Sequence, residues 1–338
     1  MPKCLVTGAA GFIGTHLVHE LIAQGNEVFG LDNLSGCNSI ESIHRCKENI
    51  EWGGTYSSQY RNSFHYRDFS NYLDLQKVYA DIGHVDHIYH VGALPRVQYS
   101  IAEPLKTHNA NINGTLNMLL AAKDLFKASR FIFSSSSSVY GDQDTLPLHE
   151  DMKPNPLSPY ALHKLTGEHY CKQFYEIYGL ETISLRYFNV YGERQDPDSS
   201  YSALIPKFAK LMYEGDQAVI YGDGEQTRDF TNVADVVRAN ILAANTSNEF
   251  VFGKSFNIGG GSQISVNDIA GMIKDRVLFY YKGSEDLPKS PIHGEPVVES
   301  RHTKADIHMA EEHLDWAPEV DFKEGLEKTV ISIVREML

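Results

Sequence analysis

Lys3-Cys4-Leu5-Val6-Thr7-Gly8-Ala9-Ala10-Gly11-Phe12-Ile13-Gly14 is the stretch whose reading decides the fold. Its first five residues read as a short buried strand, glycines follow at once, and an amphipathic run from Thr15 to Gln24 closes at Gly25. Strand, glycine-rich turn, helix and helix stop therefore stand in order. Each glycine has a mechanical use: a tight turn, close approach of backbone N–H groups to a diphosphate, and close packing of helix on strand. Glu27 to Asp32 then reads as a second strand, ending in a carboxylate 18 residues beyond Gly14. A dinucleotide site places there the acid that binds the adenosine ribose. No lysine or arginine occurs between Asp32 and Arg45 to accept a 2′-phosphate, which favours NAD over NADP.

Working outward, strand and helix patterns alternate: a strand at Ser63 to Tyr66, a helix near Tyr72 to Ala80, and a strand from Val85 to Gly92. A helix from about Asn113 to Phe126, a strand at Arg130 to Ser135 and a helix bearing Tyr160 continue the series. The alternation predicts an α/β fold with a Rossmann-type, doubly wound parallel sheet, whose ligands lie beyond the C-terminal ends of the strands. Past Arg186 the pattern loosens. We expect a nucleotide-binding domain over 1–185 and a smaller lobe, mainly substrate-binding, over 186–338, interleaved with the last sheet elements. Phe250 to Ile264 and Lys282 to Ser300 read as loops.

The 338 residues, 42% of them hydrophobic, suffice for a large core. Thirty basic against 44 acidic residues leave a net charge of −14, a poor match to nucleic acid or an anionic membrane. No run approaches the ~18 apolar residues of a membrane span, and the first residues pass into a strand without a signal-peptide core. A cytoplasmic location is expected. Cys4, Cys37, Cys46 and Cys171 have neither metal-ligand spacing nor the density of a disulfide framework. His87 and His90 would point to opposite faces of their strand, so no metal is expected there.

Ser136 ends a predicted strand, and Tyr160 and Lys164 lie four apart, sharing one helix face. A phenol titrates near pH ~10, and half-ionising it at neutrality takes roughly 4 kcal/mol, which one partly desolvated ammonium at close range can supply. The trio is a candidate proton shuttle for an alcohol, with Lys164 expected to activate Tyr160 and Ser136 to hydrogen-bond beside it.

Thr7 to Gly14, Asp32-Asn33, Asp68, Ser134 to Gly141, Ser158 to Lys164, Arg186 to Gly192 and Arg228-Asp229-Phe230 together resemble the extended short-chain dehydrogenase/reductase family. The likeness is to its NAD-dependent epimerase/dehydratase branch and runs nearly end to end. Arg194-Gln195-Asp196-Pro197 followed by Ala203 to Lys207 is most similar to the UDP-hexose 4-epimerases that handle N-acetylated sugars.

The resemblance implies NAD held at Gly8, Gly11, Phe12, Ile13 and Gly14, with Asp32 and Asn33 at the ribose, Asp68 and Phe69 at the adenine, and Gly92 alongside. It implies Ser136, Tyr160 and Lys164 as catalytic residues, Tyr160 and Lys164 also touching the cofactor. Arg96, Ser136, Ser137, Ser138, Tyr160, Asn189, Leu204, Lys207, Tyr221, Arg228, Arg301 and Thr303 would meet a UDP-sugar, and the protein would be a homodimer. The related dehydratases carry Asp and Glu where this chain has Ser137 and Ser138, so elimination lacks its acid and base and 4-epimerisation remains. Two departures stand out. The diphosphate-gripping arginine of such epimerases is missing before Arg301, and Arg96 is an extra charge: either a solvated loop residue or a neighbour of the sugar, where it would suit a UDP-uronic acid. Thr303 aligns with the residue that lines the C2 substituent, and its small size leaves room for an acetamide. A non-enzymatic NAD sensor on this fold is disfavoured, since Ser136, Tyr160 and Lys164 are all retained.

Overall fold

The computed structural model describes residues 1–36, 63–198, 203–280, 289–295 and 300–337. Cys37, Cys46, the approach to Arg45 and parts of Lys282 to Ser300 lie outside these residues. The strands are, in chain order, β1 (Lys3–Thr7), β2 (Glu27–Asp32), β3 (Ser63–Tyr66), β4 (His87–His90), β5 (Arg130–Ser136), β6 (Glu181–Tyr187), β7 (Asn189–Tyr191), β8 (Val219–Tyr221), β9 (Thr227–Arg228), β10 (Phe230–Asn232), β11 (Lys254–Ile258), β12 (Ile264–Ser265) and β13 (Ile292–Gly294).

Seven of them form one parallel sheet in the order β11-β6-β5-β4-β1-β2-β3. Its strands are apolar on both faces, as Leu5 and Val6 and Phe131 and Ile132 illustrate. The helices Phe12–Ala23 and Val233–Asn245 cover one face through Leu17, Leu21 and Val236, with Trp316 beside them. The other face is covered by Tyr72–Ile82, Gly114–Ala121 and Pro159–Tyr178 through Leu75, Met118 and Phe174. This is the doubly wound α/β sheet expected from the alternation. Chain order turns back at β1, which lies between β2 and β4, so a crevice opens at the C-terminal ends of β1 and β4.

Three expectations need correction, the first being that Lys282 to Ser300 is not all loop, since Ile292–Gly294 is β13 and pairs with β8. The stretch from Phe250 to Ile264 is not all loop, because Lys254–Ile258 is β11 and extends the central sheet beside β6. Five residues between Gly253 and Gly259 are too few for periodicity to announce, yet Phe256 and Ile258 fall on buried sheet positions. The helix anticipated from Asn113 is regular only over Gly114–Ala121 and is flanked by wider π turns at Asn109–Asn113 and Ala122–Phe126.

A second core lies under the helices Leu204–Tyr213, Val266–Tyr280 and Phe322–Glu336, built on Phe208, Met212, Ile269, Ile273 and Val330. Short ladders β7–β10, β9–β12 and β8–β13 edge it. Among the described residues no helix is long and apolar enough to cross a membrane.

Candidate active site

The glycine turn sits at the mouth of the crevice. Gly8 has a φ of +67°, and a Cβ there would stand 2.7 Å from the Gly92 Cα. A Cβ on Gly14 would stand 2.0 Å from the Gly8 carbonyl oxygen, so helix and turn touch backbone to backbone. Phe12–Ala23 begins at Gly11 with no side-chain cap and no acid in its first turn. Its first N–H groups and the positive end of its dipole are left for an anion.

Asp32 ends β2 with one carboxylate oxygen accepting the Ala10 N–H at 3.1 Å and the other the Leu34 N–H at 2.7 Å. Burial raises its carboxyl pKa against those hydrogen bonds. Asn33 donates to Asp68 at 2.9 Å, tying the ends of β2 and β3. The Phe69 ring fills the space that Gly92 and Gly114 leave open, where added Cβ atoms would come within 2.6 and 2.5 Å of it. Glycine turn, open helix end, Asp32 and the Asn33–Asp68 pair fit a dinucleotide. Ile13 packs on the core and Phe12 meets His16 edge-on at 5.7 Å.

His90, at the end of β4, is buried with both ring nitrogens bonded, Nδ1 to Thr7 Oγ1 at 2.8 Å and Nε2 to Thr115 Oγ1 at 3.1 Å. Thr7 Oγ1 also accepts the Gly92 N–H, and Thr115 donates to the Asn111 carbonyl. Asn111 in turn brackets Leu94 from both sides, at 2.8 and 2.9 Å. The chain of bonds suits a neutral imidazole, and burial, followed by the Lys164 charge, pulls His90 down to about 3. No ring nitrogen is left over for a metal, and no cluster of three or more possible ligands forms among the described residues.

Tyr160 and Lys164 stand in the first turns of the Pro159–Tyr178 helix. Pro159 starts it, the Ser158 hydroxyl accepts the Ala161 N–H at 3.2 Å, and Gly179 stops it at a φ of +72°. Ser136 ends β5 close enough to the Tyr160 phenol to favour its ionisation. The Ser136 oxygen accepts from the Ser138 N–H at 3.2 Å and the Ser138 hydroxyl at 2.9 Å, so its own proton is free for the phenol oxygen. Ser137 begins the short 3₁₀ turn Ser137–Tyr140.

Lys164 behaves differently from expectation. Its ammonium donates to the Ser134 carbonyl at 2.6 Å and lies 5.9 Å from the centre of the Tyr160 ring. Burial pulls its pKa down to about 8. Burial also leaves the Tyr160 phenol above its ordinary value, and the opposing influences are Ser136 and the charge of Arg96. Helical spacing fixed the shared face, but the Ser134 carbonyl, which no sequence pattern reveals, takes the ammonium. Arg96 itself is half-buried rather than a solvated loop residue, facing Asp196 and Tyr160.

Of the remaining predicted residues, Asn189, Arg228, Arg301 and Thr303 gather around β9, β10 and the strip that follows residue 300. Arg228 donates to the Thr227 and Arg301 carbonyls at 3.0 and 3.1 Å, and Thr303 Oγ1 accepts the Asp229 N–H at 3.2 Å. Arg301 is exposed and paired with Asp223 at 2.7 Å. The Asn189 amide donates to the Asp229 carbonyl at 3.0 Å. Leu204 opens its helix half-buried, while Lys207 and Tyr221 are exposed.

Sequence reading passed over the work of Asp229, whose buried carboxylate accepts the N–H groups of Gly260, Gly261 and Ala305 at 2.7, 3.1 and 2.8 Å. It pins two loops to β10. Burial lifts its pKa to about 7 against those bonds. Also passed over was the buried pair of Glu168 and Arg186, bidentate at 2.9 and 2.7 Å, with Tyr140 on the same guanidinium. A charge within the otherwise uncharged strand run Ile183 to Tyr187 was its available signal.

The sequence pattern of the NAD dependent epimerase/dehydratase family matches residues 4–259. A putative UDP-glucose 4-epimerase of Methanocaldococcus jannaschii is 38% identical over 327 residues, 96% of each chain. The crystal structure of UDP-glucuronic acid 4-epimerase from Bacillus cereus, in complex with UDP-glucuronic acid and NAD, is 35% identical, covers 99% of both chains and has a TM-score of 0.86. The UDP-N-acetylglucosamine 4-epimerase of Methanobrevibacter ruminantium, in complex with UDP-N-acetylmuramic acid, is 35% identical over 99% of both chains, with a TM-score of 0.83. A dinucleotide cradle at the switch of the sheet, a Ser-Tyr-Lys group at its C-terminal edge and likeness along the whole length lead to one conclusion: the chain belongs to the NAD dependent epimerase/dehydratase family, and its cofactor is NAD.

Proposed function

We propose that the chain is a 4-epimerase of UDP-hexoses, interconverting UDP-GlcNAc with UDP-GalNAc and UDP-Glc with UDP-Gal. The observation that carries this is the placement of Ser136 at the end of β5 and of Tyr160 and Lys164 on one helix face beside it, with serines and not carboxylates at 137 and 138. Residues 1–185 would hold the cofactor and the catalytic groups, and 186–338 mainly the nucleotide part of the substrate. The bound nicotinamide supplies a hydride acceptor and donor at C4. Tyr160 takes the O4 proton as C4 becomes a ketone and returns it after the sugar has turned over, while Ser136 holds the phenol oxygen between the two steps. Lys164, fastened to Ser134, would lie along the cofactor's ribose, and Gly8 to Gly14 with Asp32 would grip its diphosphate and other ribose. Arg228 and Arg301 would serve the UDP diphosphate, Arg301 leaving Asp223 to do so. The working unit would be a cytoplasmic homodimer.

Thr303 supports the N-acetylated substrates, because a half-buried threonine presents less bulk than an aromatic side chain. UDP-uronic acids are the second reading, favoured by the cation of Arg96 within the site. Incubation with UDP-Glc, UDP-GlcNAc and UDP-GlcA, without added NAD, is expected to convert the first two. Thr303→Tyr should abolish conversion of UDP-GlcNAc and spare UDP-Glc. Conversion of UDP-GlcA alone would replace the first reading with the second, and an unchanged substrate ratio in Thr303→Tyr would remove that residue from the pocket.

A further inference from the structure

Arg96 occupies a backbone conformation that a side-chain-bearing residue rarely adopts, φ +91° and ψ 127°, at the head of the short helix Val97–Ala102. Such strain persists only where the surroundings impose it, and it concentrates where a side chain must be aimed. Two fastenings impose it here. On one side Asn111 holds Leu94 by its N–H and its carbonyl, at 2.8 and 2.9 Å. On the other, the Ser100 hydroxyl donates to Val97 at 2.7 Å and accepts the backbone N–H of Tyr160 at 3.0 Å. The segment that carries Arg96 is thus tied to the residue that carries the phenol.

The guanidinium is half-buried and faces Asp196 and the Tyr160 phenol, and among the described residues it closes no ion pair. Around Tyr160 the groups are few: Ser136 from β5, Lys164 from its own helix and Arg96 from the segment after β4, with Asp196 behind Arg96 and opposing it. Lys164 is occupied by the Ser134 carbonyl. We propose that Arg96 is a positioning residue for the charge of Tyr160, its fixed guanidinium stabilising the phenolate that takes the O4 proton. The proposal rests on Tyr160 being the acid/base of the reaction. A nearby cation typically favours an ionised group by about 1–3 pH units, and a partly buried one is little screened by salt. Burial alone leaves the phenol harder to ionise than in water, and Arg96 works against that with Ser136.

The test is NMR of protein labelled with ¹³C at tyrosine Cζ and purified with its bound NAD, Tyr160 being assigned by the signal lost in Tyr160→Phe. In Arg96→Gln the Tyr160 midpoint should rise by about one pH unit or more, and the acid limb of kcat/KM should move with it. Arg96→Lys keeps the charge and should recover most of the shift. Arg96→Met serves as a second neutral variant if Arg96→Gln does not fold. An unmoved midpoint in the neutral variants overturns the proposal, including where turnover falls, since Arg96 would then act on the substrate alone. Equal shifts in Arg96→Lys and the neutral variants overturn it too, because packing and not charge would be responsible. Absence of turnover on every UDP-sugar would count against the 4-epimerase reading while the NMR midpoint still decides the role of Arg96.

Discussion

The Tyr160 hydroxyl lies close to Ser136, while the backbone N–H of the same residue is held separately by Ser100. Removing one oxygen therefore tests chemistry apart from architecture. Tyr160→Phe is expected to lower kcat roughly 10²–10⁴-fold while the melting temperature and bound NAD stay near wild type; a kcat within a few-fold of wild type would discard Tyr160 as the acid/base. The trio Ser136, Tyr160 and Lys164 was legible because a strand end and an i, i+4 spacing are local properties. Arg96 was legible as a candidate but its aim was not, nor were the partners of Asp229. The aim of Arg96 depends on one backbone angle and on Asn111, 15 residues away, and the partners of Asp229 come from loops at 260 and 305.

Among the elements, β5, β6 and the Pro159–Tyr178 helix meet at a buried polar knot. Ser135 and Arg186 both bond Glu168, and Tyr140 links Arg186 to Asn257 of β11, at 2.9 and 2.7 Å. Burial works to neutralise Arg186, but the hydrogen bonds and charge of Glu168 hold it firmly protonated. Glu168→Gln leaves that cation without its counter-charge and should cost about 3–5 kcal/mol, read from a shifted denaturation midpoint. A loss below ~1 kcal/mol would mean that Tyr140 and water suffice. At this scale the order of strands, turns and longer helices was legible along the first half, where each has its own period and stop, but the short helices Val97–Ala102 and Pro104–His108 went unread. β11 escaped because five residues between two glycines are too short a run, interrupted by the polar Asn257, and because its partner is distant in sequence.

Over the whole molecule, the sheet is finished by a strand that the chain supplies only after passing through the second core. A fragment of residues 1–190 would leave β6 as a bare edge carrying the buried Ile183, Leu185 and Tyr187, and is expected to aggregate when expressed alone, as judged by light scattering. A stable monomeric fragment would show that β11 is dispensable. The proposed division of chemistry between residues 1–185 and 186–338 would not divide the folding, because β11 belongs to the second and completes the sheet of the first. That wiring also sets a timetable at the ribosome. Residues 188–253 must be synthesised between β6 and β11, and at roughly 5–20 residues per second the open edge waits roughly 3–13 s for its neighbour. A pause in translation just after Tyr187 would prolong that exposure, so the yield of this protein in a cell depends on the pace of decoding in a stretch whose described residues add no strand to the central sheet.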